Sequence, residues 1–173
     1  MADPVADEER LFRRIRNEST EYKVASDGSL LLSSTAFQDR NCRPSVDRET
    51  LCPSSPPAAW TQEEACHGVV WLLARGVRAL KPIGERIVPG QPKESVSHAI
   101  DVYPDAILAT ETVRANPAHA EIRPTPEWVT KSAFRRFLEH LSQLAQWEIR
   151  PEAQRRDAHD DASTPSPGLG NSG

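Results

Sequence analysis

The stretch HAEIRPTPEWVTKSAFRRFLEHLSQLAQWE, residues 119–148, decides the fold class because it joins two kinds of element. Its first residues alternate and stop at Pro124, a pattern that predicts a short strand. Thr125 is then a good N-cap, Pro126 suits the first helical position, and Glu127 favours the positive helix end. Apolar residues follow at helical spacings of three and four: Phe134, Phe137, Leu138, Leu141, Leu144 and Ala145. We expect a long amphipathic helix over 126–148.

Three further segments predict the sheet that accompanies this helix. Residues 20–34 alternate around Asp27-Gly28, which favours the positive φ angles of a tight turn, so they predict a β-hairpin. The apolar run at 69–74 predicts a buried strand, and HAIDVY at 98–103 predicts another. With the strand at 119–123, they indicate an α+β fold, a small mostly antiparallel sheet with a long C-terminal amphipathic helix.

Other segments allow more than one interpretation. LFRRI, residues 11–15, fits a helix or a strand equally well. SVDR, residues 45–48, favours the capped start of a short helical turn. The capping box TQEE at Thr61 predicts a short helix before the 69–74 strand, and a single helix over 61–80 is the competing interpretation.

Length and composition indicate one folded domain. A chain of 173 residues, of which about 140 are expected to fold, encloses one core without disulfide staples. We expect a flexible lead over 1–7, a single α+β domain over 8–149, and a disordered acidic tail rich in Pro, Ser and Gly over 150–173. That tail has too little apolar surface to order itself.

Charge and the chain start bear on location and partners. A net charge of −4 argues against nonspecific binding to nucleic acid. The N-terminus MADPVADEER has neither the basic nor the apolar region of a secretory signal, and the apolar run at 69–74 is too short to span a bilayer. We therefore expect a cytoplasmic protein without membrane contact.

The cysteines predict reduced thiols instead of a metal site. Cys42, Cys52 and Cys66 are an odd number in a domain that needs no disulfide. With His67 they have the spacing C-x9-C-x13-C-H, which lacks the closely spaced pairs that structural zinc prefers. We expect no metal and no cofactor.

His98 and His119 are the candidate catalytic residues. Each lies on an alternating segment with an acidic residue, Asp101 or Glu121, close behind. Two imidazoles that face one cleft can serve as general base and general acid near neutral pH, as RNA cleavage requires. We expect the two on neighbouring strands with their rings on the same side of the sheet. The alternative is that each is only hydrogen-bonded to backbone at a strand start.

A second arrangement looks like the triad of ADP-ribosyltransferases. It consists of an early Arg14, a central Ser33-Ser34-Thr35 and a late Glu121. The resemblance implies an arginine on a pyrophosphate, a hydroxyl that orders the site, and a glutamate on a ribose hydroxyl. The ordinary interpretation is an exposed arginine cluster, a Ser-rich strand end and a surface Glu.

Several short stretches together resemble a family of small hypothetical proteins of high-GC bacteria. They are LFRRI (11–15), SSTAFQD (33–39), PSVDR (44–48), and DVYPD (101–105) followed by NPAHAEI (116–122). The resemblance implies a stand-alone bacterial protein and no particular activity.

Two functions therefore remain from the sequence. One is an accessory or interaction protein of a bacterial multi-protein system, which binds another protein, encoded nearby, through Phe137, Leu141 and Trp128 of the C-terminal helix. The other is a small enzyme that acts on RNA or a nucleotide through the two histidines. No phosphate loop, nucleophile elbow or zinc-protease motif favours a further class.

Overall fold

The computed structural model describes residues 3–52 and 68–151. Its strands are β1 (Arg10–Ile15), β2 (Tyr22–Val24), β3 (Leu30–Leu32), β4 (Ser45–Arg48), β5 (Gly68–Leu73), β6 (Ile83–Arg86), β7 (Glu94–Ser97), β8 (Ala99–Pro104), β9 (His119–Thr125) and β10 (Gln146–Ile149). Its helices are α1 (Ala74–Ala79) and α2 (Lys131–Leu144), with 3₁₀ turns at Ser34–Phe37 and Glu49–Leu51.

The main sheet has six strands in the order β10-β5-β1-β4-β9-β8, and every neighbouring pair is antiparallel. The hairpins β2-β3 and β6-β7 form separate two-stranded sheets. The structure thus confirms a mixed fold with antiparallel sheets and one main helix.

Alternation gives the main sheet one apolar face and one largely polar face. On the apolar face the strands contribute Leu11, Ile15, Val46, Val70, Leu72, Ile100, Val102, Ala120 and Ile122, all in the core. Helix α2 covers this face with Phe134, Phe137, Leu138 and Leu141. Each such side chain contributes about 1.5–3 kcal/mol when fully buried. The opposite face is therefore left for polar chemistry.

The main helix is shorter than expected. It runs over Lys131–Leu144, with the Thr130 hydroxyl accepting from the Ala133 amide as N-cap. The prediction of 126–148 is wrong at both ends: the helix begins after the N-cap Thr130 instead of Thr125, and strand pairing replaces its expected C-terminal end. Thr125 is still the last residue of β9, opposite Ala99, and Gln146–Ile149 pairs with β5 as an edge strand.

Two ambiguous segments form adjacent strands in the middle of the sheet. The LFRRI segment is strand β1, between β4 and β5. SVDR is strand β4, so the expected helical turn there is wrong; the turn comes after it, at Glu49–Leu51. Neither segment has enough periodicity to reveal its state alone, and long-range pairing decides it.

The predicted hairpin forms, but apart from the main sheet. Tyr22 pairs with Leu32 and Val24 with Leu30, and Gly28 has a φ of +82°, as the turn requires. Its attachment is local: the Trp147 ring packs edge-on against Tyr22, and its Nε1 donates to the Leu30 carbonyl at 3.2 Å.

The described part of the expected flexible lead packs on the domain. Val5 is buried, and the Arg48 guanidinium donates to the Asp3 carbonyl oxygen at 2.7 Å. Of the tail expected over 150–173, Arg150 and Pro151 are described, and Pro151 is buried. The rest of that tail and the Thr61 capping box lie outside the described residues. Among the residues the structure describes, no helix is long and apolar enough to cross a membrane.

Candidate functional site

On the polar face of the main sheet, strand register places an acid next to an imidazole. Asp47 of β4 is paired with Phe12 of β1 on one side and with His119 of β9 on the other. The Arg48 amide donates to the Ala118 carbonyl at 2.9 Å, which makes Asp47 and His119 a non-hydrogen-bonded pair. In such pairs the side chains start about 4.5–5.5 Å apart at Cβ.

The Asp47 side chain is largely shielded from solvent. It is only 9% exposed, and Asn116 Nδ2 donates to its Oδ1 at 2.7 Å. Burial raises the pKa of Asp47, and it outweighs the opposing effects of the Asn116 hydrogen bond and the charges of His119, Arg13 and Arg14. The fold therefore favours the protonated carboxyl more than water does.

His119 is oriented by Asp105. Its Nδ1 lies 2.8 Å from the Asp105 carbonyl oxygen, and because that oxygen only accepts, Nδ1 carries the hydrogen. The Asp105 carboxylate Oδ2 is 3.9 Å from the same nitrogen. The neutral ring consequently has its lone pair on Nε2, where it can accept a proton.

The pair lines an open cavity of about 630 Å³. Its lining residues are Phe12, Arg13, Arg14, Arg16, Glu21, Asp39, Ser45, Val46, Asp47, Asn116 and His119. All but Arg16 and Glu21 come from four separate stretches, residues 11–15, 33–39, 44–48 and 116–122. Residues scattered along the chain thus meet at one place.

Three arginines and three acids line this cavity, so its lining is mixed in charge. The Arg13 guanidinium pairs with Asp39 at 2.9 Å, and Arg16 pairs with Glu21 at 3.0 Å. Arg14 is exposed and near enough to Asp47 to lower its pKa electrostatically. Arginine recognises phosphate and carboxylate groups through paired N–H donors, and alternation puts Arg14 on the same face of the sheet as Asp47 and His119.

His98 lies far from this site. It is fully buried, its Nδ1 donates to the Pro126 carbonyl at 2.9 Å, and its ring packs 4.9 Å from the Trp128 ring. Ala99 pairs with Thr125, so His98, one residue earlier, lies level with Pro126. Position 126 is seven residues from His119 along the chain of β9, which corresponds to roughly 23 Å of strand. Alternation also puts it on the opposite side of the sheet from His119. The structure does not bring the two histidines together, and they cannot share one phosphate.

The helix residues expected to bind a partner are inside the domain. Phe137 and Leu141 are fully buried in the core. Trp128 packs its ring against His98, Phe134 and Phe137, and its Nε1 donates to the Cys42 carbonyl at 3.1 Å. The apolar side of α2 is therefore occupied by its own sheet.

The triad resembling ADP-ribosyltransferases does not assemble on one cavity. Arg14 lines the cavity with Asp47, whereas Thr35 bonds to the Thr20 carbonyl and lines a different cavity. Glu121 is buried and held by Arg123 at 2.9 Å and by Asn41 at 3.1 Å.

No group of three or more metal-ligating side chains occurs within residues 3–52 and 68–151. Cys66 and His67 lie outside those ranges. Cys52 lies close to the Asp47 site, where burial and the charges of Asp47, Glu49 and Glu9 raise the pKa of its thiol to about 12. Since the thiolate is the nucleophile, Cys52 is inert there.

Asp47 and Asn116 are the residues that sequence reasoning missed. The sequence of SVDR favours a helical turn, and in a turn the residue spacing does not predict which side chains share a face. The structure shows a strand there, and this strand places Asp47 on the polar face of the sheet. Asn116 precedes Pro117 by one residue and His119 by three, and its amide links the loop to Asp47. The available signal was the alternation of polar and apolar residues in Ser45-Val46-Asp47, which is typical of a strand.

Asp47→Asn is expected to stabilise the protein at neutral pH, because it removes a carboxylate that the fold disfavours. A raised folded pKa contributes stability below the unfolded pKa and loses it as pH rises through the folded pKa. The gain in melting temperature should be a few degrees at pH 7 and should shrink toward about pH 4. A lower melting temperature than wild type at pH 7 would contradict this environment for Asp47.

Comparison of this chain with protein-family models, with curated proteins and with solved structures finds no match.

Proposed function

We propose that the protein is a small enzyme that cleaves phosphate esters, with Asp47 and His119 as its acid–base pair. The observation that carries this proposal is that the two side chains are adjacent, yet their environments suit opposite tasks. Burial raises the pKa of Asp47, which favours its protonated form. The Asp105 carbonyl accepts from His119 Nδ1, so the Nε2 of the neutral ring carries no hydrogen.

The roles follow from the raised pKa of Asp47 and from the tautomer of His119. His119 Nε2 accepts the proton of the attacking hydroxyl, whose oxygen forms a bond to phosphorus. The bond from phosphorus to the leaving oxygen breaks, and Asp47 gives that oxygen its proton. Arg14 offsets the phosphate charge, and Asn116 is a positioning residue that holds the Asp47 carboxyl.

The substrate class is argued from charge and size. Arg14 lies beside a pair that can move protons, which suits an anionic ester better than a neutral one. A volume of about 630 Å³ lies within the range of small-molecule sites. We infer that the reacting phosphate belongs to a nucleotide or a ribonucleotide unit.

The test separates the two roles by their leaving groups. With bis(p-nitrophenyl) phosphate, the leaving p-nitrophenolate needs no proton, whereas a dinucleoside monophosphate expels an alkoxide that does. His119→Gln is expected to lower kcat about 10²–10⁴-fold with both substrates. Asp47→Asn should do so only with the dinucleotide. Circular dichroism checks that both variants remain folded.

His140→Gln is the matched control because His140 is exposed on α2 and does not line the cavity. It should leave both rates unchanged. Equal loss in His140→Gln, or no hydrolysis of either ester by the wild-type protein, would overturn the acid–base assignment.

A second function is binding to another protein, as a cytoplasmic accessory in a bacterial multi-protein system. One observation favours it: the β6-β7 hairpin exposes apolar side chains, with Ile83 53% and Ile87 66% accessible. Co-purification with the products of neighbouring genes should then be lost in Ile83→Asp/Ile87→Asp and kept in His119→Gln. Retention of a partner by the hairpin variant would contradict this role for the hairpin.

A further inference from the structure

A second cavity adjoins the Asp47–His119 cavity around the end of β1. It has a volume of about 660 Å³ and lies between the 3₁₀ turn at Ser34–Phe37 and the start of α2. The two cavities share Arg16, Glu21 and Asp39 in their linings. The two cavities therefore adjoin at these residues, and together we call them the groove.

The cations of this second cavity differ from those of the first. Arg40, Lys131 and Arg135 line it, and all three are exposed. Within residues 3–52 and 68–151 none of them has an ion-pair partner, whereas Arg13 and Arg16 are paired with acids. The uncompensated positive charge of the groove is thus concentrated at this end.

The helix presents two of these cations together. Lys131 and Arg135 are four residues apart on α2, so they lie on one side of it. Beside them, the cavity has the hydroxyl group of Ser34 as a hydrogen-bonding group, whereas the Thr35 hydroxyl already donates to the Thr20 carbonyl. Cations with neighbouring hydroxyls are the usual partners of phosphate oxygens in nucleic-acid backbones.

We infer that the groove takes a single-stranded oligonucleotide, with the reacting phosphate at Asp47 and His119 and another phosphate of the same strand at Lys131 and Arg135. This inference rests on the proposed function and names its substrate. A mononucleotide bound at Asp47 and His119 would place no phosphate beside Lys131 and Arg135. The net charge of −4 does not prevent such binding, because charges farther than about 8 Å are largely screened at physiological salt.

Binding measured apart from cleavage tests the inference. Fluorescence anisotropy of a labelled single-stranded ribonucleotide decamer, with Asp47→Asn in the full chain, gives Kd without turnover. Adding Lys131→Gln and Arg135→Gln should weaken binding at least tenfold and reduce the slope of log Kd against log salt by about one to two. Arg136→Gln is the matched control, since Arg136 is exposed on the same helix but lines neither cavity.

A decamer of deoxyribonucleotides distinguishes the source of the attacking hydroxyl. Cleavage of the ribonucleotide alone means that its 2′-hydroxyl attacks, to give a cyclic phosphate and a 5′-hydroxyl; cleavage of both means that water attacks.

Unchanged binding in the double-cation variant, or an equal effect of Arg136→Gln, overturns the inference even if small phosphodiesters are cleaved. Specific binding without any hydrolysis leaves the groove assignment standing and sinks the acid–base proposal.

Discussion

Leu141→Asp is expected to unfold the protein at room temperature. Leu141 is fully buried between α2 and the apolar face of the sheet. Truncating such a side chain costs about 2–5 kcal/mol, and an unpaired buried carboxylate adds several more. Because small domains are stable by only about 5–15 kcal/mol, little or no stability would remain. Far-UV circular dichroism with a thermal melt measures the loss.

Leu144→Asp provides the control for that experiment. Leu144 is the last residue of the same helix and is 40% exposed, so its change to Asp should cost less than about 1 kcal/mol. A melting temperature for Leu141→Asp within a few degrees of wild type would show that α2 does not cover the sheet.

Arg48→Met is expected to cost about 3–5 kcal/mol in the free energy of unfolding. The Arg48 guanidinium and the Glu9 carboxylate form a two-pronged pair, with N–O distances of 3.1 and 2.9 Å, and both residues are only 5% exposed. Without Arg48, the Glu9 carboxylate would be buried with Thr50 as its remaining side-chain partner. Urea unfolding measures the difference.

The pH dependence of that loss follows from Glu9. Burial works to raise the pKa of Glu9, but hydrogen bonds from Arg48 and Thr50 and the charge of Arg48 outweigh it and lower the pKa. A lowered folded pKa contributes stability above the unfolded pKa, and that contribution is lost as pH falls through the folded pKa. The gap between wild type and Arg48→Met should therefore narrow as the solution is acidified below the ordinary carboxyl range.

Two further variants make the salt-bridge prediction specific. Arg75→Met breaks the pair with Glu8, in which both side chains are more than half exposed, and should change stability little. Glu9→Gln combined with Arg48→Met removes both charges and should be less destabilised than Arg48→Met alone. Equal losses in Arg75→Met and Arg48→Met would contradict the buried pairing.

A structural feature of this protein could be predicted from the sequence where residues close together in the chain determine it. The turn at Asp27-Gly28 and the apolar side of α2 are local features, and both were predicted from residue type and spacing. The helix ends were not, because β9 and β10 pair with strands far away in sequence. SVDR became a strand for the same reason, between β1 and β9.

For the candidate site, the sequence proposes His119 from its chemistry but does not reveal its neighbour Asp47. Proximity to His98 was expected from their similar contexts, yet the register of β8 with β9 separates them. Asp47 is 72 residues from His119 in the chain (119 − 47), and only the β4-β9 register makes them neighbours.

The sequence by itself therefore determined the fold class, the apolar stripe of α2 and one catalytic candidate. Those properties arise from side-chain chemistry and from periods of two and 3.6 residues, which are local. Only the tertiary structure decided which polar side chains meet, and it decided that burial raises the pKa of Asp47. Strand pairing joins residues by register across the sheet, and desolvation depends on what packs above a side chain, so neither can be read from neighbours along the chain.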